Sequence, residues 1–164
     1  MDAASGSEGK TYLERVRDGA IPLAPFVELL GLHLDEVADG HVTFSLMPSE
    51  RLYNAVGLVH GGVAATLLDT AIGCAITTKM PPGRYAVTLD LQVRFFKPLL
   101  ATSGRIRCEG SVINVGRTTA TGEGRVIDES GRIHAHATST CAVVDDLQRA
   151  SGDAPAGQWP RRQR

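Results

Sequence analysis

The chain has 164 residues, 43% of them apolar and 21% charged, with a formal net charge of −1. That length accommodates one domain with its own core, and that composition excludes a disordered chain. The balanced charge offers no basic surface to nucleic acid or an anionic membrane, and no apolar run reaches the ~18–20 residues of a spanning helix.

In chain order, residues 1–9 are small and polar and read as a tail, without the basic-then-apolar pattern of a secretory leader. A single domain is expected over residues 10–146, and a second tail over 147–164, where Gly, Pro and charge mix without period. Within the domain, helices are predicted over Lys10–Asp18 and Ala24–Leu30, the second stopped by Gly31. Leu32–Ala38 and His41–Met47 alternate apolar and polar residues around Asp39-Gly40, a hairpin signal. A loop over 48–59 leads into a long helix over 60–78, ended by Pro81-Pro82-Gly83.

Four strand-like segments follow: Tyr85–Phe96, Gly104–Val115, Arg117–Asp128 and Arg132–Val144. In the first, a period of two puts Tyr85, Val87, Leu89, Leu91, Val93 and Phe95 on one face. Thr88, Asp90, Gln92 and Arg94 take the other. Short turns favour antiparallel pairing. The expectation is an α+β fold, a curved antiparallel sheet of five to six strands wrapped around one long central helix. Cys74, Cys108 and Cys141 lie in separate apolar segments without C-x-x-C spacing, as in a reduced cytoplasmic protein, and no metal-ligand set is apparent. His134 and His136 share a strand face by spacing and are read as outward polar residues.

The chemistry concentrates in Asn54–Asp69. From Val63 to Thr78 the only charged residue is Asp69. An isolated carboxylate in an apolar helix costs several kcal/mol unless something compensates it. Gly61-Gly62 at the helix start leaves backbone N–H groups open where the helix dipole favours negative charge. On a helical wheel the apolar residues cover most of the circumference, and Gly62, Thr66, Asp69, Gly73 and Thr77 form the remaining narrow strip. Eight residues separate Gly61 from Asp69, about 12 Å of helical rise. Either the two serve different purposes, or they meet from two chains in a twofold dimer. The plain alternative for Asp69 is a surface ion pair with a strand arginine such as Arg94.

The pattern Asn54-x-x-Gly57-x-x-His60-Gly61-Gly62, with Asp69 inside Thr66–Ala71 and then Val87–Pro98, resembles the hotdog-fold acyl-CoA thioesterases of the phenylacetate-pathway (PaaI-like) type. The resemblance covers residues 25–145. It implies a homodimer with composite sites, assembled as a dimer of dimers, that takes an acyl-CoA substrate and needs no cofactor. It also implies roles. Asp69 would be general base or nucleophile, the Gly61 N–H would polarise the thioester oxygen, and Gly62 would leave room for it. Asn54 would bond near that carbonyl or the water, His60 would orient the loop, and Thr88 would help position the water. Gly62 and Thr66 would line the substrate strip. Arg94, Lys97, Arg105, Arg107 and Arg117 are expected to cluster at strand ends, with Gly116-Arg117 and Arg94 serving coenzyme A. The rivals are a non-catalytic acyl-CoA-binding or sensing module and a dehydratase on the same fold. No phosphate loop, dinucleotide fingerprint or G-x-S-x-G elbow is present.

Overall fold

The computed structural model describes residues 8–145. In chain order they form α1 (Glu8–Arg17), α2 (Pro25–Leu29), β1 (His33–Ala38), β2 (His41–Leu46), α3 (Gly61–Thr77), β3 (Arg84–Phe95), β4 (Ile106–Val115), β5 (Thr119–Ile127) and β6 (Ile133–Asp145), with single 3₁₀ turns at Glu50–Leu52 and Ala101–Ser103. Glu8 and Gly9, expected in the N-terminal tail, belong to α1, and the rest of that expected tail lies outside the described residues. The expected tail over 147–164 lies outside the described residues.

α2 closes as the sequence suggests. Gly31 adopts φ +68°, its N–H bonds the Glu28 carbonyl, and the Leu32 N–H reaches back to Val27. This is the paired-bond helix ending that glycine favours.

The six strands form one antiparallel sheet in the order β1-β2-β4-β5-β6-β3. All of β2–β6 touch α3, so the sheet curls around the helix. Ala64, Leu67, Leu68, Ala71, Ile72, Ala75 and Ile76 are the helix's buried residues. They pack on Phe44, Ile106, Cys108, Val126 and Ala137, which alternation points inward from the strands.

Glycines set how deeply the helix sits. A Cβ placed on Gly110 of β4 would lie 2.4 Å from the Ala71 backbone, and one on Gly122 of β5 would lie 2.8 Å from Ile72. Gly124 is only slightly roomier, its Cβ position 3.1 Å from Ile72 and 3.3 Å from Leu68. At Gly110 the helix backbone therefore rests directly on β4, while Gly122 and Gly124 make room on β5 for the side chains of Ile72 and Leu68.

β3 departs from the simple alternation. Its register with β6 runs Thr88↔Cys141 and then Asp90↔Thr140, leaving Leu89 as an extra residue in a bulge. Past the bulge the faces exchange. Ala86 and Thr88 share the helix-facing side with Leu91, Val93 and Phe95, whose partners Ser139, Ala137 and Ala135 also face inward. Tyr85 and Val87 join Asp90, Gln92 and Arg94 on the outer side. The uninterrupted period of two expected for this strand is thus broken at Leu89, and Asp90 does not share a face with Thr88.

The glycine floor generates a stability prediction. Gly110→Ala forces a side chain into the helix backbone and is expected to cost about 3 kcal/mol. Thermal unfolding of the variant should then begin from a midpoint roughly 6–12 °C lower. An unchanged midpoint would mean that the helix is not seated by that contact.

Candidate active site

The loop before α3 is tied by Asn54. Its Oδ1 accepts from the N–H groups of Val56 (3.0 Å) and Leu58 (3.1 Å), and its own N–H bonds the Leu58 carbonyl at 2.7 Å. Gly57, at φ +79°, provides the left-handed residue that this tight turn needs. The Asn54 side-chain oxygen is thereby occupied. Only its NH₂ is left for a ligand, so Asn54 can donate to a carbonyl.

His60 is the N-cap of α3. Its Nδ1 accepts from the Gly62 N–H at 2.9 Å, and its carbonyl accepts from Val63 at 2.9 Å. A nitrogen that accepts there cannot also serve as a base. Gly62 and Val63 have partners, whereas the Gly61 N–H has none among the described residues. The ring of Phe95 lies over Gly61, 3.3 Å from where a Cβ would be. Any larger residue at 61 would meet that ring.

A cavity of about 320 Å³ opens at this end of the helix, lined among others by Asn54, Gly61, Phe95, Lys97 and His134. A thioester oxygen placed there would meet the Gly61 N–H at the positive end of the helix dipole.

Asp69 lies two turns further along α3, half-exposed, and accepts at Oδ1 from the Thr88 hydroxyl at 2.8 Å. Thr88 reaches it because the bulge at Leu89 keeps Thr88 on the helix side of β3. Arg94 lies on the opposite face, cross-strand from His136, so the surface ion pair considered for Asp69 does not form. Gly62, Thr66, Asp69, Gly73 and Thr77 follow one another along α3 with some exposure at every position, as the wheel anticipates. Gly61 and Asp69 belong to one unbroken helix, so about 12 Å of rise separates them within a chain.

The arginines do not cluster. Arg105 bonds Asp35 (2.7 Å) and Ser45 (2.6 Å) at the start of β4, and Arg107 lies 3.7 Å from Glu109. Gly116 and Arg117 occupy the turn at the other end of β4, roughly 30 Å along the strand. There the Arg117 carbonyl accepts from Arg84. Of the five basic residues considered, Lys97 is the one that lines the Gly61 cavity.

The thiols are chemically quiet. Burial, with the charge of Asp69 adding to it, pushes the Cys74 thiol up to about 12, and burial raises Cys108 and Cys141 as well. None is a thiolate near neutral pH. Among the described residues no group of His, Cys, Asp and Glu could hold a metal ion.

His134 is the residue that the spacing argument placed wrongly. β6 bulges against β5 there, with Ile127↔Ile133 followed by Val126↔Ala135, and His134 turns inward to 5% exposure. His136 alone keeps the outward position, beside Glu123. The His134 Nε2 lies 3.1 Å from Asp128 Oδ2. Asp128 Oδ1 accepts from the Ser130 hydroxyl and from the N–H groups of Ser130 and Arg132. These bonds, the Ser130 hydroxyl first and His134 next, hold the Asp128 carboxyl well below the usual carboxylate range. Its folded value lies below the unfolded one, so the network stabilises the fold above pH ~4 and loses that contribution as pH falls toward the folded value. Acid unfolding of Asp128→Asn is expected to show a smaller loss of stability between neutral pH and pH ~3 than the parent, read by circular dichroism. Identical acid profiles would contradict this assignment.

The comparisons agree with this geometry. The family model described as thioesterase superfamily matches residues 56–135. A protein of Halobacterium salinarum, named provisionally as an esterase, is 32% identical over 117 residues, spanning 68% of this chain and 76% of the relative. The proofreading thioesterase EntH of Klebsiella pneumoniae is 28% identical over 103 residues, 63% of this chain and 74% of the relative. Among solved structures, a mutant of the phenylacetic acid degradation protein PaaI from Thermus thermophilus superposes with a TM-score of 0.66 at 32% identity, covering 73% of this chain and 98% of that one. The wrapped helix, the capped glycine start and the family match converge on a hydrolase: this chain belongs to the thioesterase superfamily, with the hotdog fold of its PaaI-like members.

Proposed function

We propose that the protein hydrolyses a small or medium acyl-CoA thioester, aromatic acyl groups included, to the free acid and coenzyme A, in the cytoplasm and without a cofactor. The observation that carries the reading is the Thr88–Asp69 hydrogen bond on the helix strip. It fixes one carboxylate oxygen and leaves the other for water. In the reaction, Asp69 takes a proton from that water as the water oxygen attacks the thioester carbon. The carbonyl oxygen gains negative charge, which the Gly61 N–H and the Asn54 amide receive. Collapse of this intermediate breaks the C–S bond, and the thiolate of coenzyme A leaves and is protonated. His60 keeps the helix entry in shape.

The site is composite. Gly61 and Asp69 stand too far apart in one chain to act on one carbonyl, and a twofold axis with antiparallel α3 helices brings Asp69 of one protomer to Gly61 of its partner. The edge strand β3 supports this arrangement, because among the described residues it pairs with β6 alone and exposes Val87, Leu89 and Phe95. Pairing β3 with its copy would cover that edge, and two such dimers would make the tetramer. The same axis carries the Gly116-Arg117 turn, at the C-terminal end of one α3, toward the Gly61 end of the other, where Lys97 lines the cavity. Gly62 and Thr66 lie along the path between, and Arg94 would serve coenzyme A from the rim. The named relatives support acyl-CoA as the substrate class, one being a 1,4-dihydroxy-2-naphthoyl-CoA hydrolase of Listeria monocytogenes.

Asp69→Asn keeps the side-chain volume and removes the base. It is expected to lower kcat on the best of a panel of aromatic, branched and straight-chain acyl-CoAs by about 10²–10⁴-fold, with the melting temperature unchanged. Release of coenzyme A thiol is the readout. Wild-type rates in this variant would remove Asp69 from the chemistry, and tight acyl-CoA binding without hydrolysis by the wild type would favour the binding-module reading.

A further inference from the structure

We propose that His134 is a positioning residue that fixes the wall of the Gly61 cavity and, through it, the direction of the Gly61 N–H; its catalytic consequence rests on the thioesterase reading. Two acceptors flank the buried ring. Nδ1 lies 3.1 Å from the Pro98 carbonyl, and Nε2 lies 3.1 Å from Asp128. The main chain of His134 adds a third hold, since its carbonyl accepts from the N–H groups of Phe96 (2.8 Å) and Lys97 (3.3 Å). One residue thus grips Phe96, Lys97 and Pro98 in succession.

That stretch is the cavity wall facing the helix start. The wall is coupled to the site by the next residue, because the Leu99 carbonyl accepts from the Val59 N–H at 2.9 Å, two residues before Gly61. The sequence of contacts runs from Asp128 through His134 to Pro98, then from Leu99 to Val59 and into His60-Gly61. Asp128 is itself held by Ser130 and Arg132, which makes it a fixed anchor. Donors that serve a developing oxyanion lose rate steeply when displaced by a fraction of an ångström. A histidine placed between an anchored carboxylate and the wall carbonyl is a means of preventing that displacement. No direct contact with the substrate is required of it.

The two ring nitrogens can be tested apart. The amide nitrogen of Asn sits near the place of His Nδ1, and that of Gln near the place of Nε2. His134→Asn therefore keeps the donor to Pro98, and His134→Gln keeps only the donor to Asp128. The measurement is amide exchange at Val59, paired with thiol-release kinetics. His134→Gln is expected to lose about 10-fold in Val59 protection and about 10-fold in kcat, with KM within about twofold of wild type. His134→Asn, which keeps the Pro98 bond and loses the anchor, should fall only about threefold below wild type in both readouts. Asp128→Asn, which keeps the ring and loses the charged anchor, should lose Val59 protection by a similar factor of about three. Equal losses in the Asn and Gln variants, or Val59 protection unchanged in His134→Gln, would overturn the proposal. If the wild type released no thiol from any acyl-CoA, the thioesterase reading would fall, and Val59 exchange alone would still decide the role of His134.

Discussion

The close seat of α3 on the sheet is the constraint on which the rest of the structure depends. Gly110 lets the helix backbone lie directly against β4, and Gly122 and Gly124 let the Ile72 and Leu68 side chains sink onto β5. That contact fixes both the depth of the helix and its rotation. Rotation decides which residues are buried and which form the open strip, and depth decides whether Asp69 reaches Thr88. A helix lifted by about 1 Å would stretch that 2.8 Å bond beyond useful geometry. Three residues without side chains therefore hold the carboxylate in place from the far side of the helix.

At the other end of α3, the polar groups are arranged by exclusion. Asn54 uses its oxygen on its own loop and His60 uses Nδ1 on Gly62, so each keeps hydrogens and no acceptor free at those atoms. The Gly61 N–H is left open at the positive end of the dipole. What remains near the cavity is a set of donors, suited to an oxygen that becomes negative and poorly suited to deprotonating anything. In the proposed reaction the base therefore comes from elsewhere, as the half-exposed carboxylate of Asp69 on the strip. The division of labour between two helix regions is thus a consequence of hydrogen-bond accounting as well as of distance.

Much of this was readable in the chain. The long helix, its apolar width, the strip and the isolated acid follow from a 3.6-residue period that α3 obeys throughout. Gly61-Gly62 marked the helix start and its open N–H groups, but of the two only Gly61 keeps its N–H free among the described residues, because His60 Nδ1 takes that of Gly62. What was not legible came from bulges. An extra residue at Leu89 and another at His134 leave no mark on composition or local period, since a strand that slips by one still reads as alternating. The consequence differed at the two places. In β3 the bulge turned Thr88 from the polar face toward the helix and Tyr85 and Val87 outward, while Asp90, Gln92 and Arg94 kept the outward face expected of them. At His134 the bulge converted a surface histidine into a buried one with two acceptors. The five basic residues do not gather within one chain for another reason: residues close in sequence along one strand are far apart in space, and Arg105 and Arg117 flank β4 from opposite ends.

The central claim is that one working site takes Asp69 from one protomer and the Gly61 N–H from its partner. Gly61→Pro tests it, with the exposed Phe95 ring yielding the few tenths of an ångström that a Cβ at 61 requires. Proline removes the N–H, is tolerated at the first helical position, and follows a His60 already at φ −59° and ψ 133°, the conformation that a residue before proline prefers. Each of Asp69→Ala and Gly61→Pro alone should be nearly inactive. Mixed and refolded in equal amounts, they form heterodimers in which one site carries both lesions and the other carries neither, so thiol release should recover to about a quarter of wild type. Mixed samples no more active than the separate variants would contradict the shared site and confine the chemistry to a single chain.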